Sequence, residues 1–380
     1  MEYIKRKRIK VCHMSSVHGQ EDTRIFHKEC VSLARDGFEV YQITKGETYS
    51  KCNVHLIGIG EPCSGIVGRM INTTDAVYRK AKEINADIYH AHDPELLPVL
   101  LKLKKTGKKV IFDSHEYVVG TIHEKEYIPS MFRKLIGNVY AFYETYACKK
   151  LDAVITATPN VTEYFKEIGI KRVIDLCNFP ILNDDFVPPR YDGRIAIFAG
   201  GISAQWNHES IISAIEKIDD IKYVLCGRSE KQYLNKLKTY PGWQKVEYKG
   251  KIPHEQVAEE LQSAAVGFAL LTPGENTDGI NGNMANTKIF EEMAAGLPVV
   301  CTDFVRWKDF VETYDCGICV RPNDIEQIVG AVDQLIHSPK MAEAKGMNGR
   351  RLVKEKFNWA REEQKLLALY DEIGREIIDG

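Results

Sequence analysis

NTKIFEEMAAGLPVV, residues 286–300, decides how the rest of the chain is read. Asn286 suits a helix N-cap, and Ile289, Phe290 and Met293 form an apolar stripe at helical spacing with Glu291 off it. Gly296-Leu297-Pro298 then turns the chain into the apolar run that begins Val299-Val300, so a short helix feeds a buried strand. Lys288 sits badly in this pattern. It occupies the first helical turn, where the positive end of the helix dipole makes a cation cost about 0.3–1 kcal/mol unless an anion is near. A pair with Glu291 or Glu292 is one answer, contributing about 0.2–0.5 kcal/mol. The other is a ligand: helix-start amides and the Lys288 ammonium hold a diphosphate, and the Glu291 carboxylate takes a ribose diol.

Outward from this stretch, apolar runs of strand length alternate with amphipathic segments. IKVCHMS, FEVYQIT, NVHLIGI, DIYHAH, KVIFDSH, DAVITAT and RVIDLC occupy the first half, and RIAIFAGG, IKYVLCG, KVEYKGK, AVGFALL and LPVVCTD the second. Nearly continuous short strands separated by helices predict parallel sheets covered on both faces. Between the halves lies NFPILNDDFVPPRYDG, rich in Pro, Asp and Asn and without periodicity. The expected division is therefore residues 1–186, residues 187–357, and a final helix, 358–380, that packs toward the first domain. Two doubly wound α/β domains facing a cleft would gather ligands at the C-terminal ends of their strands.

Composition limits the function classes. With 44% hydrophobic and 27% charged residues over 380 positions, the chain is globular and long enough for two cores. A net charge of -2, with a mildly basic first half and a mildly acidic second, is too small an imbalance for a nucleic-acid binder. No apolar run approaches the roughly 18–20 residues of a membrane span, and the opening residues lack a signal-peptide core, so the expected location is cytoplasmic. The ten cysteines fall mostly in apolar segments, and Cys316-Gly-Ile-Cys319 has no second pair, so it reads as packing and not as a metal or redox site.

The strand ends carry the chemistry. After the first strand, SVHGQEDTRIFHKE places Gly19 in a loop and Arg24, Lys28 and Glu29 on a helix; the absence of G-x-G-x-x-G argues against a dinucleotide cofactor. Gly19 and Arg24 suit a phosphate or acceptor contact, and a surface helix whose charges pair with neighbours suits them equally. DIYHAHDPELLP ends on His90, His92 and Asp93, and VIFDSHEYV on Asp113, His115 and Glu116. Metal-ligand spacing is lacking there, and substrate contact is expected of His115 in preference to His90. In the second half Gly200-Gly201, Arg228 and Lys251-Ile252 each follow a strand; glycines allow the close backbone approach a phosphate ligand needs, and loop packing would need them too. Asn283, Asn286 and Thr287 lead into the helix that carries Lys288 and Glu291.

In this order, SVHGQEDTRIFHKE, HAHDPELLP, DSHEY, CNFP, FAGGIS and NTKIFEEMAAGLPVV resemble the GT-B retaining glycosyltransferases of family 4, over nearly the whole chain. The resemblance implies transfer of a sugar from a nucleotide-sugar donor to a saccharide or lipid-linked acceptor hydroxyl, without cofactor or obligatory metal. It implies that the second domain holds the donor, Glu291 gripping the ribose, and that His115 stands close to the reacting sugar. His115, Lys288 and Glu291 are thus the expected catalytic group. Gly19, Arg24, His92 and Asp93 are placed on the acceptor or phosphate side. Two positions depart from the family pattern: Asn283 stands eight residues before Glu291 where many members have glutamate, and Trp206, followed by Asn207, stands where a basic residue is usual. Lys288, with Arg228 or Arg24, is expected to replace the missing cation.

The expected role is cell-surface polysaccharide or glycoconjugate synthesis. A sugar-nucleotide epimerase and a noncatalytic partner of the same fold are the alternatives. EYIPSMFRKLIGNVYAFYETYACKK, which mixes aromatics with Arg133, Lys134, Lys149 and Lys150, suits peripheral contact at the inner membrane face. A helix packed on the sheet would also account for its aromatics, and is the preferred reading.

Overall fold

The computed structural model describes residues 9–60, 68–124, 129–182 and 185–379; residues 126–128 of the aromatic segment lie outside them. The chain divides into two compact units, Met1–Asn178 with Trp359–Gly380, and Phe179–Asn358.

The first unit is built on β1 (Lys10–Met14), β2 (Glu39–Thr44), β3 (Tyr49–Lys51), β4 (Val54–Gly58), β5 (Ile88–Ala91), β6 (Lys109–Ser114), β7 (Ala153–Thr156) and β8 (Val173–Asp175). Their order is β3-β4-β2-β1-β5-β6-β7-β8, parallel except for β3 against β4. Side chains alternate across the sheet, so neighbouring positions feed opposite cores. Cys12, Tyr89 and Phe112 join one core with Leu97 and Leu100. Val11, Ile88 and Ile111 join the other with Phe26, Leu33, Leu366 and Tyr370. The final helix, Trp359–Asp379, thus completes the second face, and Trp359 Nε1 donates to Ser32 Oγ at 3.0 Å. Each such fully buried apolar side chain contributes about 1.5–3 kcal/mol.

The second unit has β9 (Ile195–Ala199), β10 (Lys222–Cys226), β11 (Val246–Gly250), β12 (Val266–Ala269), β13 (Val299–Thr302) and β14 (Gly317–Val320), all parallel, in the order β11-β10-β9-β12-β13-β14. Each sheet reverses its winding once, beside β1 in the first unit and beside β9 in the second. Such a switch point opens a crevice at the strand ends where ligands of these sheets bind. The loops after β1, β5, β9 and β12 carry Gly19, His92, Asp93, Gly200, Gly201 and Asn283, while His115, Arg228 and Lys251 follow the neighbouring strands β6, β10 and β11.

Cysteine pairing matches the packing reading: all nine described cysteines are free. Cys316 is buried, while Cys319 meets Cys301 across the β13–β14 pair, their sulfurs 3.7 Å apart. The aromatic segment meets its expectation in part. Its helix, Ser130–Cys148, packs through Tyr143, Ala147 and Cys148, and Tyr140 donates to the buried Glu144, but Phe132, Phe142 and Tyr146 are exposed, so packing accounts for only some of its aromatics.

Candidate active site

In the second unit three successive strand ends are stitched together by backbone. Gly200 N–H donates to Cys226 O at 2.8 Å, Gly227 N–H to Gly250 O at 2.8 Å, and Ile202 N–H to Arg228 O at 2.8 Å. A Cβ on Gly227 would lie 1.7 Å from Gly200 O, and its φ of +146° is one that L side chains rarely adopt, so only glycine lets these loops meet. They bound a pocket of about 540 Å³ lined by Gly201, Ile202, Ser203, Trp206 and Arg228 among others. Arg228 is exposed at its edge, its guanidinium in no ion pair among the described residues.

Lys288 reaches Gly200, the residue before the pocket-lining Gly201, from the other side of the switch point. The helix Thr287–Ala294 is capped by Asn286, whose side-chain oxygen accepts from Lys288 N–H at 3.0 Å. The lysine side chain then runs back over the β9 loop, where a Cβ on Gly200 would lie 2.6 Å from Lys288 Cε. Its Nζ is 2.6 Å from Glu291 Oε2, and both side chains keep access to solvent, at 22% and 38%. The i,i+3 pair, the alternative to a ligand in the sequence reading, is therefore formed, at a position where cation and carboxylate lie together beside the pocket loop.

The two family departures are both turned inward or onto apolar surface. Trp206 packs on Phe198 with ring centroids 4.9 Å apart, and Asn207 donates to Leu270 O and Thr272 Oγ1. Asn283 is buried; its side-chain oxygen accepts from Ala285 N–H at 3.0 Å and its carbonyl from Trp307 Nε1 at 2.8 Å. Asn283 thus shapes the loop and does not line the pocket. Ile252 packs in a small apolar cluster beside the β9 and β10 ends, and Lys251, next to it, is exposed.

The first unit gathers its candidate residues into a buried network. Thr23–Cys30 is a π-helical stretch whose i→i+5 bonding puts residues four and five apart on one face, so Arg24, Lys28 and Glu29 all turn inward. Arg24 holds Asp113 through Nε and Nη2, each at 2.8 Å, and donates Nη1 to Leu176 O at 2.6 Å. Glu29 is 3.1 Å away. This corrects both sequence readings of Arg24: it is neither a surface residue nor available to a phosphate. Asp93 is likewise engaged, its Oδ2 accepting from Ser15 Oγ, Ser16 N–H and Ser16 Oγ. Gly19 faces open space, so packing does not require a glycine there.

His115 Nε2 lies 2.9 Å from Asp113 Oδ2, and His92 Nδ1 lies 3.1 Å from the same oxygen. His92 Nε2 in turn meets His13 Nδ1 at 2.9 Å, and Tyr370 of the last helix contacts both His13 and His90. Burial works to raise the Asp113 carboxyl, but the Arg24 charge and the His115 contacts overcome it and hold it well below the carboxylate range. Glu29 goes the other way, raised well above its ordinary value by burial and by the Asp113 charge. Burial lowers His13 and His90 strongly and His92 to about 3. One buried acid is thus ionised, one is neutral, and three imidazoles are neutral. His13, Glu29, His90 and His92 place ligand-type atoms within 4.8 Å of one another, as do His92, Asp113 and His115.

Only His115 and His18 bring this network toward solvent, with side chains 18% and 28% exposed and ring centroids 5.0 Å apart. Burial lowers His18, yet its hydrogen bond to Asp22 and the Asp93 charge outweigh that and raise it. Sequence reasoning missed His18, His13 and the buried Glu292. The i,i+4 spacing of His18 and Asp22 is a signal for the first; nothing local marks the others.

Both halves of this arrangement correspond to a family pattern. Residues 24–176 match the model of Glycosyltransferase Family 4, and residues 183–352 that of Glycosyl transferases group 1. The chain belongs to the family 4, group 1 glycosyltransferases. It is a transferase with the GT-B fold. A sucrose-phosphate synthase from Thermosynechococcus elongatus is similar at TM-score 0.75 and 16% identity, over 96% of this chain and 99% of that one. Anabaena Alr3699/HepE in complex with UDP and glucose is similar at TM-score 0.72 and 12% identity, over 96% and 100%. A trehalose-6-phosphate protein from E. coli bound with UDP-2-fluoro glucose gives TM-score 0.68 and 12% identity, over 96% and 99%. At these identities the likeness is one of fold. No curated protein sequence matches the chain significantly.

Proposed function

We propose that this glycosyltransferase moves a sugar from a nucleotide-sugar donor to a hydroxyl of a saccharide or lipid-linked acceptor, with retained anomeric configuration, in cell-surface polysaccharide or glycoconjugate synthesis at the cytoplasmic side of a membrane. One observation carries the reading: the Lys288 side chain, its ammonium paired with Glu291, runs against Gly200, the residue before Gly201 of a strand-end pocket. Helix-start amides, Lys288 and Arg228 take the donor diphosphate, Glu291 the ribose, and the Lys251-Ile252 backbone the base. Gly201, Asn286 and Thr287 supply the close backbone approach. His115, oriented by Asp113, is the first unit's contribution to the chemistry.

In the transfer, the bond from the anomeric carbon to the leaving diphosphate oxygen breaks while the acceptor oxygen bonds on the same face. The acceptor proton passes to the departing phosphate. Charge develops on the diphosphate, so fixed cations and amides aimed at it are the main catalytic term, and no protein nucleophile is required. The same cations make a metal unnecessary, so chelation by EDTA should leave turnover unchanged; loss restored by a divalent ion would contradict this.

Similar structures that hold UDP with glucose or UDP-2-fluoro glucose make uridine donors the first to test. A thermal-shift panel of UDP-, GDP- and ADP-sugars should give one stabilising donor, because a bound ligand favours the folded state by mass action. Proton NMR of the product from that donor should then show the donor's anomeric configuration. Inversion would exclude the retaining mechanism, a sugar released as its nucleotide-linked epimer would favour the epimerase, and donor binding without turnover a noncatalytic partner.

A further inference from the structure

The helix Ser130–Cys148 carries a surface that sugar transfer leaves unused. At 100° per residue Met131, Leu135, Val139, Phe142 and Tyr146 fall within about 80° of arc, and Phe132 and Ile136 widen the stripe to about 140°. Met131 is 76% exposed and Phe142 78%, with Val139 at 62% and Leu135 at 59%. The opposite side packs inward through Gly137, Glu144, Ala147 and Cys148. A contiguous apolar face of this kind on a soluble unit marks a docking surface.

Charge identifies the occupant. Glu144 is the one acid in the helix, and it is buried, bonded to Tyr140 and Tyr164. The cations are outward: Lys134 is exposed near the start, and Lys149 and Lys150 follow the end, Lys150 seated 3.7 Å over the Tyr146 ring. An apolar stripe with cations at both ends and no exposed acid complements an anionic bilayer, whose headgroups attract the lysines while the stripe enters the acyl boundary. No helix among the described residues is long and apolar enough to cross a membrane, so this one lies in the interface plane.

We propose that Ser130–Cys148 is an interfacial helix that seats the first unit on an anionic membrane surface. It rests on the functional reading only for its purpose, to bring the enzyme to lipid-linked acceptors; the binding itself needs neither donor nor acceptor, so the two can fail separately.

Vesicle co-sedimentation tests it with phosphatidylcholine alone and with added phosphatidylglycerol. The wild-type chain should bind the anionic vesicles and release at about 0.5 M salt. The variant Met131→Ser, Leu135→Ser, Val139→Ser, Phe142→Ser should lose at least about tenfold in binding, with melting temperature and turnover on a soluble acceptor unchanged. Lys134→Gln, Lys149→Gln, Lys150→Gln should abolish the preference for anionic lipid. A Phe142→Trp reporter should shift its emission to the blue with anionic vesicles, which keeps the test independent of how the quadruple variant folds. An unshifted reporter, wild-type binding by the serine variant, or no anionic-vesicle binding overturns the proposal. So does a dimer in sedimentation velocity that the serine variant dissolves without any lipid binding, which would assign the stripe to a second copy of the chain.

Discussion

Lys288 and Gly200 form a pair separated by 88 positions in sequence and by van der Waals contact in space. A methyl group at Gly200 would lie 2.6 Å from Lys288 Cε, which can yield, and 3.3 Å from Cε1 of the buried Phe198, so Gly200→Ala should push the lysine off the loop at a stability cost set by the phenyl contact. Its expected effect is a several-fold rise in donor KM, in the direction of Lys288→Ala, and the double variant should be no worse than Lys288→Ala alone. Additive losses would show that the two act separately. Asp113→Asn is a different kind of change. It strips the buried Arg24 of its bidentate carboxylate but frees Glu29, 3.1 Å away, to ionise in its place, so the drop in denaturant midpoint should fall short of the about 3–5 kcal/mol of a buried charge left unpaired. The sequence made Lys288 conspicuous because its cost is local, set by position in one helical turn. Arg24 gave no such sign, since its partners Asp113 and Leu176 are far away along the chain.

The helix Thr287–Ala294 was legible in its cap, its apolar stripe and its turn, because each depends on residues a few positions apart. Asn286→Ala should therefore cost about 1 kcal/mol in thermal or denaturant unfolding, and should also raise donor KM if the first-turn amides face the diphosphate. A KM unchanged at that stability loss would leave the cap purely structural. Burial of Glu292 in the same helix was not legible. It faces Gly267 on β12, a neighbour supplied by the sheet. The Thr23–Cys30 stretch escaped for another reason: a helical period of 3.6 keeps residues 24 and 28 on one face but turns 29 about 140° from 24, and the wider π-turn brings all three inward. The strand β3 was missed because Tyr49-Ser50-Lys51 is short and mostly exposed, without the apolar run that marked its neighbours. Apart from β14, which none of the apolar runs covered, the remaining strands fell where the runs were, as buried parallel strands require.

At the scale of the whole molecule, buried titratable groups set how stability follows pH. His13, His90 and His92 stay neutral in the folded chain, whereas histidine in an unfolded chain protonates near about 6.5. The unfolded state therefore binds more protons below that value, and stability falls with falling pH by about 1.4 kcal/mol per pH unit for each histidine. Glu29 opposes this: its raised folded value gives a contribution that is present at low pH and lost as pH rises, offsetting about one histidine. Glu292 is raised by burial as Glu29 is, and His208 lowered as the three histidines are, so the informative quantity is the difference between chains. From about pH 7 to about pH 5 the denaturant midpoint of Glu29→Gln should lose ground to that of the wild-type chain. A constant difference between the two would contradict the assignment of a neutral acid among neutral imidazoles. The resemblance of motifs in order along the chain made the GT-B fold and the transferase class readable. Which residues hold the diphosphate depends on loops that meet only in the folded second unit. The most direct test is calorimetric titration of the matching nucleoside diphosphate into the wild-type chain and into Lys288→Ala. At least about a tenfold weaker affinity in the variant, with its melting temperature unchanged, is the expected result; equal affinity would contradict the placement of the diphosphate at Lys288.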